Sequence, residues 1–360
     1  NGKIYVIGGS INYEYNPTTD DWTAKTPMPT HRWHFGIAAY ENKIYTFGGW
    51  EASEVEVYDP ASDTWETKTP LPNIVTYPQA NVNDNEIYVI SMESSYRYNI
   101  TNDSWSTISN APSGSSQVAM DGKIYAFYGN HTNIYDPESD SWCEGSSMPI
   151  TVYQPSVCAT TGIMAPKKIY LFGGVRQLFD SGTTVTQVYD PETDTWTLGK
   201  PMPTGRSSAA IAVVNDQIYV IGGSTGMYSV TDSNEKYTPI GYGTVPPIIS
   251  IVCPENETSY ELSNISLAIT VNRPVQDITY SLDGKPNVTI AGNTTLTNLT
   301  EGQHNITVHA EDTLGNLGTS RTIIFYKTSN VFPTILIVVV IVASIVMGAA
   351  LMIRFKRRKR

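Results

Sequence analysis

Cysteine is scarce in this chain of 360 residues, with Cys143, Cys158 and Cys253 the only three and no C-x-x-C pair among them. That excludes a disulfide framework as the main source of stability, and with it the thiolate spacings of structural zinc. Cys143 and Cys158 either pair across neighbouring segments in an oxidising compartment or stand as two independent thiols. Histidine is scarce too, with five residues. His31 and His34 are three apart, on opposite faces if their segment is a strand, so they do not converge on one metal. Phosphate loops, G-x-S-x-G, H-E-x-x-H and the EF-hand loop are all missing, so neither cofactor nor metal is expected and enzymatic activity is left open, with binding favoured. Basic side chains are the last shortage. Six of the 23 Lys and Arg lie in the final seven positions, leaving residues 1–330 with 17 basic against 34 acidic groups. A surface so acidic excludes nucleic acid as the general partner, because phosphate backbones demand clustered cations.

One long apolar run is present. Residues 335–353, "ILIVVVIVASIVMGAALMI", carry no charge, and the run reaches back to Val331. At about 1.5 Å per residue it crosses a hydrocarbon core of about 30 Å. The tail at 354–360, "RFKRRKR", stays on the cytoplasmic side, which turns residues 1–330 outward. The expected location is therefore the cell membrane, single-pass, with the bulk of the chain extracellular and the C-terminus cytoplasmic. With neither initiator Met nor secretory leader in front, an outward-facing domain implies an N-terminus trimmed by processing or a sequence that is a fragment.

Ahead of that run the sequence repeats itself. "KIYVIGG" at Tyr5 returns as "KIYTFGG" at Tyr45, "EIYVISM" at Tyr88, "KIYAFYG" at Tyr125, "KIYLFGG" at Tyr170 and "QIYVIGG" at Tyr219, at spacings of 40, 43, 37, 45 and 49 residues. These are propeller-blade periods, and six copies mean six blades. Apolar residues on successive positions suit a strand buried on both faces. A second strand follows in five copies, as in "VEVYDPASDTW" and "QVYDPETDTW". There Asp-Pro or Asn-Pro makes a tight turn, and Trp22, Trp65, Trp105, Trp142 or Trp196 opens the return. Five of the seven tryptophans thus share one repeat position, which reads as packing. The recurring "DPESDS"-type turns read as hairpin chemistry rather than calcium loops for the same reason.

These blocks resemble kelch repeats, whose hydrophobic strand, Gly-Gly, Tyr and Trp recur here in fixed order across residues 1–240, in the manner of archaeal cell-surface kelch proteins. The resemblance implies an all-β, six-bladed kelch β-propeller. Ser91-Met92 and Tyr128-Gly129 replace the paired glycines in copies three and four, so altered turns are expected there. The first copy lacks a preceding inner strand and the sixth a Trp strand, which predicts an incomplete closing blade that an upstream segment would complete. Some kelch propellers are enzymes, copper oxidases or sialic acid mutarotases, and nothing here marks the copper-ligand set.

After a Gly- and Pro-rich linker at 241–247, "ISLAITV", "DITYSLDGK", "QHNITVHAED" and "TSRTIIFYK" alternate as short strands of a small sandwich at 248–328. "HNITVHAEDTLGN" resembles the late hairpin of immunoglobulin-like modules. Glycosylation sequons occur at Asn99, Asn102, Asn130, Asn256, Asn264, Asn287, Asn293, Asn298 and Asn305, six of the nine in this stalk.

Propellers bind at the mouth of the central channel, where inner strands begin. Arg32, Trp33, His34, Tyr77, Gln79, Tyr153, Gln154 and Arg206 fall there, a set that suits a sugar or acidic glycan through stacking and guanidinium forks. Packing is the other reading open to Arg32 and Arg206, which share one repeat position. Leu178 and Phe179, with Met227 and Tyr228, lie in long loops that suit a protein partner. The expectation is a surface binding or adhesion protein for a glycan or another surface protein, with a sugar-active enzyme or a structural envelope component as alternatives.

Overall fold

A computed structural model describes residues 2–9, 11–112, 115–177 and 180–329. It forms two compact units, Asn1–Val245 and Pro246–Arg360, parting inside the expected linker. The run at 331–353 lies outside the described residues, and among those described no helix is long and apolar enough to cross a membrane.

Among the described residues the first unit holds six antiparallel blade sheets, whose strands neighbour one another in chain order, and a separate two-stranded hairpin. Sheet one holds β1 (Ile4–Gly8), β2 (Ile11–Asn16) and β3 (Asp21–Ala24). Sheet two holds β4 (Gly36–Tyr40), β5 (Lys43–Gly49), β6 (Ala52–Asp59) and β7 (Thr64–Lys68). Sheet three holds β8 (Gln79–Asn83), β9 (Glu86–Ile90), β10 (Ser95–Asn99) and β11 (Ser104–Ile108). Sheet four holds β12 (Ser116–Met120), β13 (Lys123–Tyr128), β14 (His131–Asp136) and β15 (Ser141–Glu144). Sheet five holds β16 (Ser156–Ala159), β17 (Ile169–Phe172), β18 (Thr186–Asp190) and β19 (Thr195–Leu198). Sheet six holds β20 (Ala210–Val214) and β21 (Gln217–Ile221), then a small hairpin of β22 (Ser224–Gly226) and β23 (Ser229–Val230), then β24 (Asn234–Tyr237) on the far side of β21.

Inner strands stand side by side, β4 with β8, β8 with β12, β12 with β16 and β16 with β20, while β1 meets β20. The apolar runs on β5, β9, β13, β17 and β21 are buried between flanking blades, with Phe47, Val89, Phe127 and Ile218 fully enclosed. This is why the pattern is continuous rather than alternating.

The Tyr-to-Trp hairpin is built the same way in five blades. Tyr15, Tyr58, Tyr98, Tyr135 and Tyr189 donate to Asp20, Asp63, Asp103, Asp140 and Asp194 over 2.5 to 2.7 Å. The returning Trp packs on that Tyr at 4.7 to 5.1 Å between ring centroids. The turn in copy three differs from the glycine form, with Ser91 Oγ accepting from the amides of Glu93 and Ser94. In copy four Gly129 alone takes positive φ, at 65°, just as Gly9 alone does, at 54°, in the glycine-paired first copy, so the altered turn expected there is not seen. Sheets one and six carry three strands in register against four elsewhere, as the missing motifs predict. Cys143 and Cys158 are free thiols, the first exposed and the second buried, so the pairing alternative is not realised.

The second unit packs two sheets. One holds β25 (Ile249–Cys253), β27 (Ile265–Val271) and β30 (Thr294–Leu296). The other is ordered β26 (Thr258–Tyr260), β33 (Ile323–Lys327), β31 (Gly302–Glu311), β28 (Asp277–Leu282) and β29 (Val288–Ile290), with β32 (Leu317–Thr319) also on β31. Ile265, Leu267 and Leu296 from the first sheet meet Ile306, Val308 and Phe325 from the second in one core.

Candidate functional site: the aromatic mouth of the ring

Strand direction defines the mouth. Gly36 opens β4 opposite Phe47 near the end of β5, and Gln79, Ser116, Ser156 and Ala210 stand likewise opposite Ile90, Phe127, Phe172 and Ile221. Every inner strand therefore begins at the end of the ring where the second strand finishes, and both loops of each blade gather there.

The backbone just ahead of each inner strand is unusual. His34, Tyr77, Gln154 and Ser208 occupy one repeat position and all have positive φ, at 54°, 54°, 55° and 50°, in the left-handed region that bulky side chains seldom adopt. All four are exposed. Paired glycines make room for this turn. A Cβ on Gly49 would lie 2.6 Å from the Trp33 carbonyl oxygen, and one on Gly174 would lie 2.7 Å from that of Tyr153. Gly-Gly is thus the seat on which the mouth loop rests.

Upon that seat stands a run of exposed aromatics. Trp33 is 56% exposed, Trp50 51% and Tyr77 55%. Ring centroids are 4.5 Å apart for His31 and Trp33, 4.4 Å for His34 and Tyr77, and 6.4 Å for Trp50 and Tyr77. The Trp50 amide donates to the Trp33 carbonyl, tying the two loops of the second blade together. A second pair, Tyr128 and Tyr153, meets at 5.1 Å in blades four and five. His31 and His34 lie in a loop, not on a strand, and each packs on its own aromatic partner; among the described residues no three His, Cys, Asp or Glu gather in a metal-holding group.

Arg32 and Arg206 do not belong to this surface. Arg32 is 2% exposed and Arg206 1%. Arg32 donates to the carbonyls of Gly48 and Glu54, to Thr46 Oγ1 and to Glu56 Oε2 over 2.7 to 2.9 Å. Arg206 donates to the carbonyls of Gly222 and Ser233 and pairs with Glu235 at 2.6 Å. Val75 and Val152 fill the same repeat position, equally buried, in blades three and five. The position is core, so the expected guanidinium forks on a glycan carboxylate are withdrawn, and packing is what the arginines do.

Of the other expected residues, Trp33, His34, Tyr77 and Gln154 are exposed at the mouth, while Gln79 and Tyr153 are half-buried there. Met227 and Tyr228, 54% and 89% exposed, tip the β22–β23 hairpin of blade six. Leu178 and Phe179 lie outside the described residues. Sequence reasoning missed Trp50, Ile74 and Met92, exposed on mouth loops, and Tyr128, exposed at the end of β13. One signal was there for Trp50, since it and Trp33 are the two tryptophans outside the repeat position.

The ring, its repeats and its glycine seats define a kelch-repeat β-propeller. The kelch motif model matches residues 31–72, 165–203 and 205–241. Kelch-like protein 15 of Danio rerio is 29% identical over 256 residues, 63% of this chain and 36% of that protein, and its Homo sapiens counterpart is 27% identical over 276 residues, 66% and 40%. Kelch-like protein terF of Aspergillus terreus is 39% identical over 114 residues, 29% of this chain and 23% of that one. The chain thus spans well under half the length of these relatives. The solved structure of YjhT aligns with a TM-score of 0.55 at 16% identity, covering 66% of this chain and 92% of that one, a likeness of fold.

Proposed function

We propose that this chain is a membrane-anchored cell-surface protein whose propeller docks another protein through the aromatic mouth. The observation that carries this is the exposed run of Trp33, His34, Trp50 and Tyr77 on backbone held by glycine seats. Large rigid aromatics on a preorganised frame are what binding hot spots are made of. The kelch-like relatives support a binding propeller, and the buried arginines remove the feature that favoured an acidic ligand. The apolar run at 331–353 and the basic tail support a single-pass anchor with the propeller outside, as in the archaeal surface proteins the sequence resembles. An immunoglobulin-like stalk fits the two-sheet second unit, and of its six sequons all but Asn305 are exposed. Occupied, they would shield the stalk.

A neutral glycan stacked on Trp33, Trp50 or Tyr77 is the second reading, favoured by the same exposed rings. One experiment separates the two. The full chain and its Trp33→Ala, Trp50→Ala, Tyr77→Ala variant are presented to cross-linkable surface proteins of the source cells and to a glycan array. Capture of a protein, lost in the variant at unchanged melting temperature, supports docking; array binding lost in the variant transfers the site to glycan. Binding that survives all three substitutions moves function away from the mouth.

A further inference from the structure

The aromatic mouth has a sign of charge as well as a surface. Its loops at residues 26–35, 48–51, 69–78 and 91–94 hold three formally charged side chains, Arg32, Glu51 and Glu93. Arg32 is turned inside, where Glu56 answers it at 2.9 Å. Glu51 and Glu93 are exposed. These loops of blades two and three therefore offer acid beside aromatic to the solvent, and neither lysine nor exposed arginine stands among them.

Both acids stand on backbone that is already set. Glu51 follows Trp50 directly and is held at φ 54°, in the left-handed region, by the turn that seats that ring. Glu93 follows the exposed Met92 on the turn built by Ser91 Oγ, and its carbonyl accepts from Asn110 Nδ2 at 3.0 Å. Neither acid has to be ordered by a ligand that meets it.

The rings are placed to receive a cation. Trp50 and Tyr77 are crossed at 87° with centroids 6.4 Å apart, and His31 and Trp33 are crossed at 85°. Crossed rings leave one face uncovered, and Trp33, Trp50 and Tyr77 each keep about half their surface in water. A guanidinium or ammonium within about 6 Å of such a face is attracted by the ring quadrupole, most strongly at Trp. A carboxylate beside the ring then supplies the counter-charge through a charge-assisted hydrogen bond. An anionic partner meets the same two carboxylates as repulsion. At longer range the 17 basic against 34 acidic groups of residues 1–330 draw cations toward the chain. Arg176 and Lys200, exposed cations on other mouth loops, lie at blade five, so the attraction is directed to one side of the mouth.

We propose that the mouth of blades two and three takes a basic polypeptide segment, with one cationic side chain laid on Trp50 and Tyr77 beside Glu51 and a second answered by Glu93. The proposal rests on the docking reading above and names the chemistry of its partner. Arginine fits better than lysine, because its planar and weakly hydrated guanidinium stacks on a ring while its fork holds a carboxylate.

The test uses the full chain in an uncharged detergent, with 5-fluorotryptophan in place of tryptophan, and three short peptides that alternate glycine with arginine, with serine or with glutamate. The arginine peptide is expected to move the fluorine signals of Trp33 and Trp50 and to leave those of the five blade tryptophans in place. The serine peptide should bind about tenfold more weakly and the glutamate peptide should move neither signal. Glu51→Gln with Glu93→Gln should weaken the arginine peptide about tenfold. Glu138→Gln with Glu192→Gln makes the same change of charge on exposed turns at the other end of the ring, and should weaken it less than about twofold. Equal losses in the two pairs of variants overturn the proposal, because the attraction is then the diffuse field of an acidic chain. Equal affinity for the three peptides overturns it as well, and so does an arginine peptide that moves neither Trp33 nor Trp50. Capture of a surface protein, lost in the aromatic triple variant, reads docking independently, so the partner's chemistry and the docking reading can each fail alone.

Discussion

Arg32 and Glu56 are a buried ion pair at 2.9 Å in a position that blade five fills with Val152 and Gln187. Removing one partner of such a pair strands the other charge, whereas replacing both is close to neutral. Arg32→Val is therefore expected to destabilise the propeller by about 3–5 kcal/mol in denaturant unfolding, and adding Glu56→Gln should recover most of that loss. If the double variant is no better than the single, Arg32 acts other than through Glu56. Trp33 and Trp50, by contrast, show half their surface to water, and alanine at either should change stability by no more than about 0.5 kcal/mol. Stability and binding thus separate on adjacent residues, Arg32 and Trp33.

At the scale of the element, the blade-to-blade grip is a carboxylate device. The Tyr58 hydroxyl and the Thr26 amide hold the Asp63 carboxyl below its ordinary value, and Tyr189 with Ser146 does so for Asp194. At Asp103 and Asp140 burial pushes the other way and is outweighed by hydrogen bonds, from Tyr98 and Thr69 at the first and from Ser109 and Tyr135 at the second. Depressed carboxyls contribute stability that is full above their unfolded values and is lost as pH falls through the folded ones. Their tyrosine partners Tyr58, Tyr98, Tyr135 and Tyr189 are raised, by burial first and then by the bond to the carboxylate, so they contribute stability that is full below the unfolded phenol value and is lost above it. The melting temperature should hold a plateau between about pH 4 and pH 10 and fall on both sides. Tyr98→Phe should cost about 1 kcal/mol on the plateau and flatten the acid limb. An acid limb identical in that variant would place the titrating groups elsewhere.

The whole molecule is two units with separate cores. The sandwich core is closed by Leu267, Val308 and Phe325, none of which contributes to the propeller. Leu267 is fully buried, and Leu267→Ala is expected to destabilise its own unit by about 2–5 kcal/mol. Calorimetry should then show one transition moved down by several degrees and another in place, and a common shift of both would mean that the units unfold as one.

How much was legible beforehand depended on the range of the interaction. The repeat, the strand identities, the Asp-Pro hairpins and the three-stranded end sheets are local or periodic properties, and a pattern written several times over in one chain reports itself. The altered turn at Ser91 was legible for that reason. Tertiary structure alone decided which side of the backbone a mouth residue takes. Arg32 and Trp33 are neighbours in sequence, yet a left-handed residue at His34 and the seat at Gly49 send one into the blade and the other into water. It also decided which side chains meet across blades, since Trp65 reaches Thr26 and Trp50 reaches Tyr77 only because twisted sheets stack around an axis. A single sequence records the period of that stacking. The contacts between copies are set by the packing of one blade on the next.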